Sequence, residues 1–366
     1  MNSRSRLSSA NWDFMGTASQ TPPVATRKPQ ARLPTVHVIL AALLSVMPGG
    51  LHAQAPCTDQ QARERVGSLM LSRENQALLD SERRSRPEPA VLEKINEAIA
   101  ILKQALPAMK GVEGTYSYDV YRLPPNGRAM RFSIRVGLFA YWCAPMRYPA
   151  NVAGKVSRED ETGTWIIVDF NSLGTLTGGG SSLSKEIRTP EGQLIYELPR
   201  ESEYKGHRLF IPDKFGRESN VIVLTAGGLS PFTPVTRNDF LLAREKMYQG
   251  YIDKVPAGVN KGYRDELDSV KRFHATLSPD ELAEQAVIRN ANQSPARGKV
   301  FVGESEHGLR LVTIDHSYIN RNLPPTAIQL ITLEWQNSDH NAEKHEAIRQ
   351  FEANLDVEAL SRLLDR

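Results

Sequence analysis

The chain has no apolar run long enough to cross a bilayer. Its most apolar stretch, Val36 to Met47, falls well short of the about 20 residues that a spanning helix needs. Cysteine is scarce, with Cys57 and Cys143 alone. Neither lies near a histidine in sequence, which speaks against a catalytic thiol. Pro56 precedes Cys57, so the small residue that lipid attachment would require before the cysteine is missing. No H-E-x-x-H is present, and no G-x-x-x-x-G-K-[ST]. The commonest zinc-hydrolase and phosphate-loop chemistries therefore have no signature here. Heptads and internal repeats are also lacking.

A lasting excess of positive charge is missing too. The whole chain has 45 Lys and Arg against 42 Asp and Glu. Five of the basic residues (Arg4, Arg6, Arg27, Lys28 and Arg32) and only one acidic residue (Asp13) lie before residue 56. The remainder carries a net charge of −1, which gives no electrostatic case for nucleic acid or for a polybasic membrane contact.

What is present at the front reads as an export signal. A basic leader precedes the short apolar core at Val36–Met47. Pro48-Gly49-Gly50 then breaks any helix, and Ala53-Gln54-Ala55 offers an Ala-x-Ala cleavage site. Residues 1–55 are expected to be a cleaved signal peptide, with Met15 an alternative start and the working protein beginning at Pro56. No stable membrane anchor is expected after cleavage, and the location implied is periplasmic or secreted. In such a compartment an even cysteine count favours a Cys57–Cys143 bridge. Two buried free thiols are the alternative.

Periodicity then predicts an α+β fold: N-terminal helices, a mainly antiparallel sheet, a helical middle and a smaller strand/helix lobe. Thr58-Asp59 reads as an N-cap, with Ala62, Val66, Leu69 and Met70 following at helical spacing. Val91, Leu92, Ile95, Ala98, Ile99, Leu102 and Leu106 form one apolar helical stripe, ended by Pro107 and Gly111. Tyr116, Tyr118 and Val120 alternate as a strand, and Pro124 to Gly127 is a turn. Met130 to Cys143 is the longest strand signature, with Gly137 a candidate bulge or bend. Trp165 to Phe170 is a further strand, followed by a Gly/Ser-rich loop from Gly174 to Ser184. Shorter strands are predicted near 194–198, 208–211 and 221–225. Capping boxes at Thr236/Asp239 and Ser278/Glu281 open helices. Strands return at 300–302, 309–314 and 328–335, and two amphipathic helices follow at 342–351 and 356–364. The organisation expected is an α+β domain over 56–230 with the long strand at its centre, then a helical segment and small α+β lobe over 231–366.

The chemistry-bearing patterns are sparse. Ser182-Leu183-Ser184-Lys185 matches S-x-x-K without the accompanying motifs, and Gly178-Gly179-Gly180 lacks the lysine of a phosphate loop; both are expected to be solvated loop. Six histidines follow the leader (His207, His274, His307, His316, His340 and His345), none at a metal-ligand spacing. Asp169 and Glu334 sit among apolar neighbours in predicted strands, where burial would raise a carboxylate pKa. Arg237, near a helix start, is repelled by the helix dipole unless a carboxylate or an anionic ligand compensates it.

Three segments carry a resemblance: Pro231 to Leu241, Tyr318 to Pro325 with Ala327 to Leu330 behind it, and Phe351 to Asp356. They resemble segments of uncharacterised exported proteins of Gram-negative bacteria, over the second half only. The resemblance implies a shared fold and export and brings no activity. The function expected is that of an exported envelope protein binding a small ligand or another envelope protein, without cofactor or metal. Trp142, Arg237, His316 and Tyr318 are the expected lining if the lobes close on something. The alternative is a periplasmic hydrolase whose carboxylates or histidines meet only in the fold.

Overall fold

The computed structural model describes residues 56–73, 87–121, 129–148, 151–177, 187–214, 217–256, 258–289, 293–336 and 341–365. The leader, the turn at 124–127, the segment 178–186 with its S-x-x-K, and His340 lie outside the described residues.

The fold is α+β. Thr58 and Gln61 close a capping box that starts α1 (Asp59–Glu64). The helix expected to continue through Met70 stops there. Val66–Gly67 is strand β1 and Leu69–Leu71 is β2. Gly67 explains the change: a Cβ on it would lie 2.0 Å from the Val112 carbonyl oxygen, so the chain crosses a neighbouring backbone too closely for any other residue. Helix α2 (Pro89–Ala105) follows its apolar stripe and buries Val91, Ile95, Ala98, Ile99 and Leu102. Strands β3 (Met109–Lys110), β4 (Val112–Val120), β5 (Phe132–Cys143), β6 (Val156–Arg158) and β7 (Trp165–Phe170) come next. Gly137 is not a bulge, because β5 pairs with β4 residue for residue through Thr115 and Gly137. Its role is room: a Cβ would meet the Phe139 ring at 2.8 Å and the Trp165 ring at 3.1 Å.

After the single turn α3 (Gly174–Thr177) the strands are β8 (Tyr196–Leu198), β9 (Arg200–Tyr204), β10 (His207–Ile211), β11 (Asp213–Lys214), β12 (Arg217–Thr225) and β13 (Phe232–Pro234). Helices α4 (Arg237–Lys254), α5 (Lys261–His274) and α6 (Pro279–Ala283) form the helical middle. Then come β14 (Val287–Ile288), β15 (Leu309–Ile314), β16 (Leu330–Gln336), α7 (Ala342–Asn354) and α8 (Val357–Ser361).

The main sheet runs β2-β4-β5-β7-β16-β12-β10-β9, antiparallel except for the β2–β4 pair. Residues from both sides of position 230 share it, since β16 lies between β7 and β12. One face carries Ile134, Val136, Val168, Leu333, Trp335 and Ile222 against α2, α7 and α8 in a single buried cluster. A second sheet, β13-β15-β14 with β8 on β15, has α4 and α5 in its own core with Phe240, Leu241, Val270 and Leu311. A third cluster, including Phe210, Val221, Phe232, Val312 and Leu330, joins the two sheets. Cys57 and Cys143 form a disulfide, with their Cα atoms 5.6 Å apart. No helix among the described residues is long and apolar enough to cross a membrane.

Candidate functional site

The site is built on the hairpin that joins β9 to β10. Tyr204 pairs with His207 across a two-residue turn in which Lys205 and Gly206 both have positive φ, 49° and 78°. Such a turn follows the right-handed twist of the strands it joins. Lys205 Nζ donates to the carbonyls of Ala353 and Leu355 at 3.0 and 2.8 Å, where the C-terminal end of α7 favours a cation. His207 Nε2 lies 3.3 Å from Glu358 Oε1 of α8. The hairpin is thereby moored to the C-terminal helices.

A cleft of about 410 Å³ opens between this hairpin, the end of β12, the loop 226–231 and the end of α8. That volume lies within the range of small-molecule sites. Its apolar wall includes Phe210, Val223, Phe232 and Leu364, and its polar groups include His207, Arg208, Thr225, Ser230 and Ser361. The loop is shaped by Gly227 (φ 72°, ψ 10°) and Gly228 (φ 69°). A Cβ at either would meet nothing within 4 Å, so bare backbone borders the open space. Thr225 Oγ1 donates to the Leu229 carbonyl at 2.5 Å and closes the loop.

Arg208 is the cation of the cleft. Its Nε donates to Glu201, and one terminal nitrogen stands 3.5 Å from Ser230 Oγ. The second oxygen of Glu201 pairs with Arg310, so one carboxylate is shared by two guanidiniums. Partial burial holds the Arg208 guanidinium below its ordinary pKa. The lining holds Arg208 and His207 and no carboxylate.

A second polar surface lies on the main sheet, on the face opposite α2. Register places Asp119, Ser133, Asp169 and Thr332 side by side on β4, β5, β7 and β16, and Ser117, Arg135, Ile167 and Glu334 in the next row. Asp169 and Glu334 are thus diagonal neighbours on one face. Ser133 and Thr332 are fully buried. Ser219 donates to Glu334 at 2.9 Å, and Ser133 Oγ finds no hydrogen-bond partner among the described residues.

The four residues expected to line a ligand site are not gathered around the cleft. Trp142 stands at the end of β5, edge-on to Tyr148 at 4.9 Å. Arg237 opens α4 and is paired with Glu284 at 2.6 Å, with its guanidinium 5.1 Å from the Phe301 ring centre. The carboxylate that the helix dipole demanded is thus supplied from within the chain. His316 and Tyr318 are neighbours, ring centres 6.5 Å apart, after β15. Of the histidines, His274 lies 2.8 Å from Glu245 and 3.1 Å from Asn238, and His307 occupies left-handed backbone. Among the described residues no group of three or more His, Cys, Asp or Glu could hold a metal ion.

Comparison with protein-family models, curated proteins and solved structures finds no match to this chain. Arg208, Ser230 and the Gly227-Gly228 pair were missed by sequence reasoning. Their signal was a glycine doublet directly after a strand, which marks a turn of positive φ.

Proposed function

We propose that this is an exported envelope protein that holds a small ligand in the cleft between the β9–β10 hairpin, the 226–231 loop and α8, without transforming it. The observation that carries the reading is the cleft itself: about 410 Å³, with an apolar wall, a few convergent polar groups and an arginine at its edge. Export is supported by the leader, by the Ala-x-Ala site before Pro56 and by the disulfide, since such bonds persist in oxidising compartments. Mass spectrometry of the protein isolated from a Gram-negative host tests the export half. A mass beginning at Pro56, in the periplasmic fraction and without free thiols, is expected; a mass beginning at Met1 or Met15 overturns it. For the binding half, Ser361→Trp places a ring in the cleft and is expected to abolish binding of small molecules that raise the melting temperature of the parent protein.

A second reading, hydrolysis by carboxylates, is favoured by one observation: Asp169 and Glu334 share a sheet face on adjacent strands. It predicts turnover of an ester or glycoside that Asp169→Asn and Glu334→Gln each abolish while the fold is retained.

A further inference from the structure

We infer that the ligand of this cleft is a small organic anion with a single acidic head and an apolar body. This rests on the cleft being a ligand seat, and it adds the chemical class. The sign of the site comes first. Arg208 and His207 line the cavity, and their carboxylate partners Glu201 and Glu358 stand outside that lining, so the surface that a guest meets is basic. Glu201 is shared between Arg208 and Arg310, and Arg310 also has Glu304 at 3.8 Å. Gly227 and Gly228 form a turn of consecutive positive φ at the cavity wall, which leaves main chain there with no side chain in a guest's way. Ser230 Oγ accepts from Arg208 at 3.5 Å and donates to the Phe232 carbonyl at 3.1 Å, which ties the guanidinium to the loop.

The remainder of the wall sets the body. Val223 and Leu364 are partly exposed apolar side chains of the cavity, and the Phe210 and Phe232 rings in the same wall, edge to face with centres 5.7 Å apart, are themselves buried. A bare inorganic anion would satisfy the arginine and leave this apolar surface in contact with water. An amphiphilic acid answers both walls at once.

The probes are hexanoate, 1-hexanol and inorganic phosphate, titrated by calorimetry into the disulfide-bonded protein beginning at Pro56 and into its Arg208→Gln, Arg208→Lys and Ser361→Trp variants. Circular dichroism first establishes that each is folded. Hexanoate is expected to bind the parent, and Arg208→Gln to weaken it about tenfold or more, the scale of one hydrogen bond to a charged group. Arg208→Lys should recover part of that loss, and raised salt should weaken the parent. Hexanol and phosphate are each expected to bind at least tenfold more weakly than hexanoate. If hexanol equals hexanoate and Arg208→Gln changes neither, while Ser361→Trp abolishes both, the cleft is a ligand seat and the anion assignment is overturned. If phosphate equals hexanoate, the apolar body is overturned. If no probe binds the parent, or Ser361→Trp leaves hexanoate binding intact, the cleft reading fails with it.

Discussion

Lys344 Nζ stands 2.5 Å from Glu159 Oε2, with the lysine side chain 8% exposed and the glutamate 36%. The pair joins α7 to the segment after β6, and Thr162 Oγ1 lies 3.2 Å from the same nitrogen. The two partners are buried to different depths, so removing one is not equivalent to removing the other. Glu159→Gln leaves a buried ammonium without its charge partner and should cost about 3 kcal/mol. Lys344→Met leaves a carboxylate that water reaches and should cost about 1 kcal/mol or less. Urea denaturation of both variants checks the order; equal losses would refute it.

Asn171 occupies left-handed backbone at φ 55° and is buried. Its Nδ2 donates to the carbonyls of Met130 and Ala327, both at 2.8 Å. Its Oδ1 accepts from the amides of Gln329 and Leu330 at 2.8 and 3.2 Å. One side chain therefore fixes the entries to β5 and β16. Asn171→Gly keeps the backbone conformation and loses the four bonds, while Asn171→Ala loses the bonds and adds strain. Both should destabilise strongly, alanine by about 1 kcal/mol more than glycine, in thermal or chemical unfolding.

Gly67 and Gly137 differ in what a methyl group would strike. At Gly67 it is a backbone carbonyl at 2.0 Å, and at Gly137 two aromatic rings, one of them the 37% exposed Trp165. Gly137→Ala should cost about 1–2 kcal/mol and shift Trp165 fluorescence as the ring moves aside. Gly67→Ala should cost more, because the obstacle is main chain.

The Cys57–Cys143 bond spans 86 residues of sequence. The loop-entropy model assigns a loop of that length about 4–5 kcal/mol. Replacing both cysteines by serine should lower the urea midpoint, and reductant should lower that of the parent but leave the variant unmoved.

Tyr204 donates to the Glu352 carbonyl. Burial, with the Glu352 charge behind it, pushes its phenol up to about 12. The unfolded phenol ionises near its ordinary value of 10.0. The contribution to stability is therefore full below pH 10 and is lost as the pH climbs from about 10 to 12. Tyr204→Phe should flatten the fall of the unfolding midpoint over that range, and ultraviolet absorbance should show one fewer late-titrating tyrosine.

Much of the scaffold was legible because it obeys local periodicity. The stripe from Val91 to Leu102 had to be a buried helix face, and Thr58, Thr236 and Ser278 announced helix starts that the structure contains. Strand β5 was visible from its alternation, and the antiparallel sheet around it from the strands that followed. Elements made by tertiary context were not legible. Strand β9 reads as a charged stretch, Arg200 to Tyr204, because it is a sheet edge and three of its five residues are exposed. Strands β1 and β2 are too short to show a period. The cleft was out of reach for a related reason. It needs Lys205 to bind carbonyls some 150 residues further along the chain, and no spacing rule connects residues 206–232 with Ser361 and Leu364.

Strand β16 also constrains the order in which the molecule can be assembled. Strands β7 and β12, complete by residues 170 and 225, meet in the main sheet only through residues 330–336. Until that segment arrives, the earlier strands form two separate ribbons with open inner edges. A polypeptide wired this way closes late, when its missing middle is delivered. Long-range closure of this kind is slow, and a truncation before residue 330 is expected to leave two ribbons with unpaired inner edges rather than a smaller folded protein.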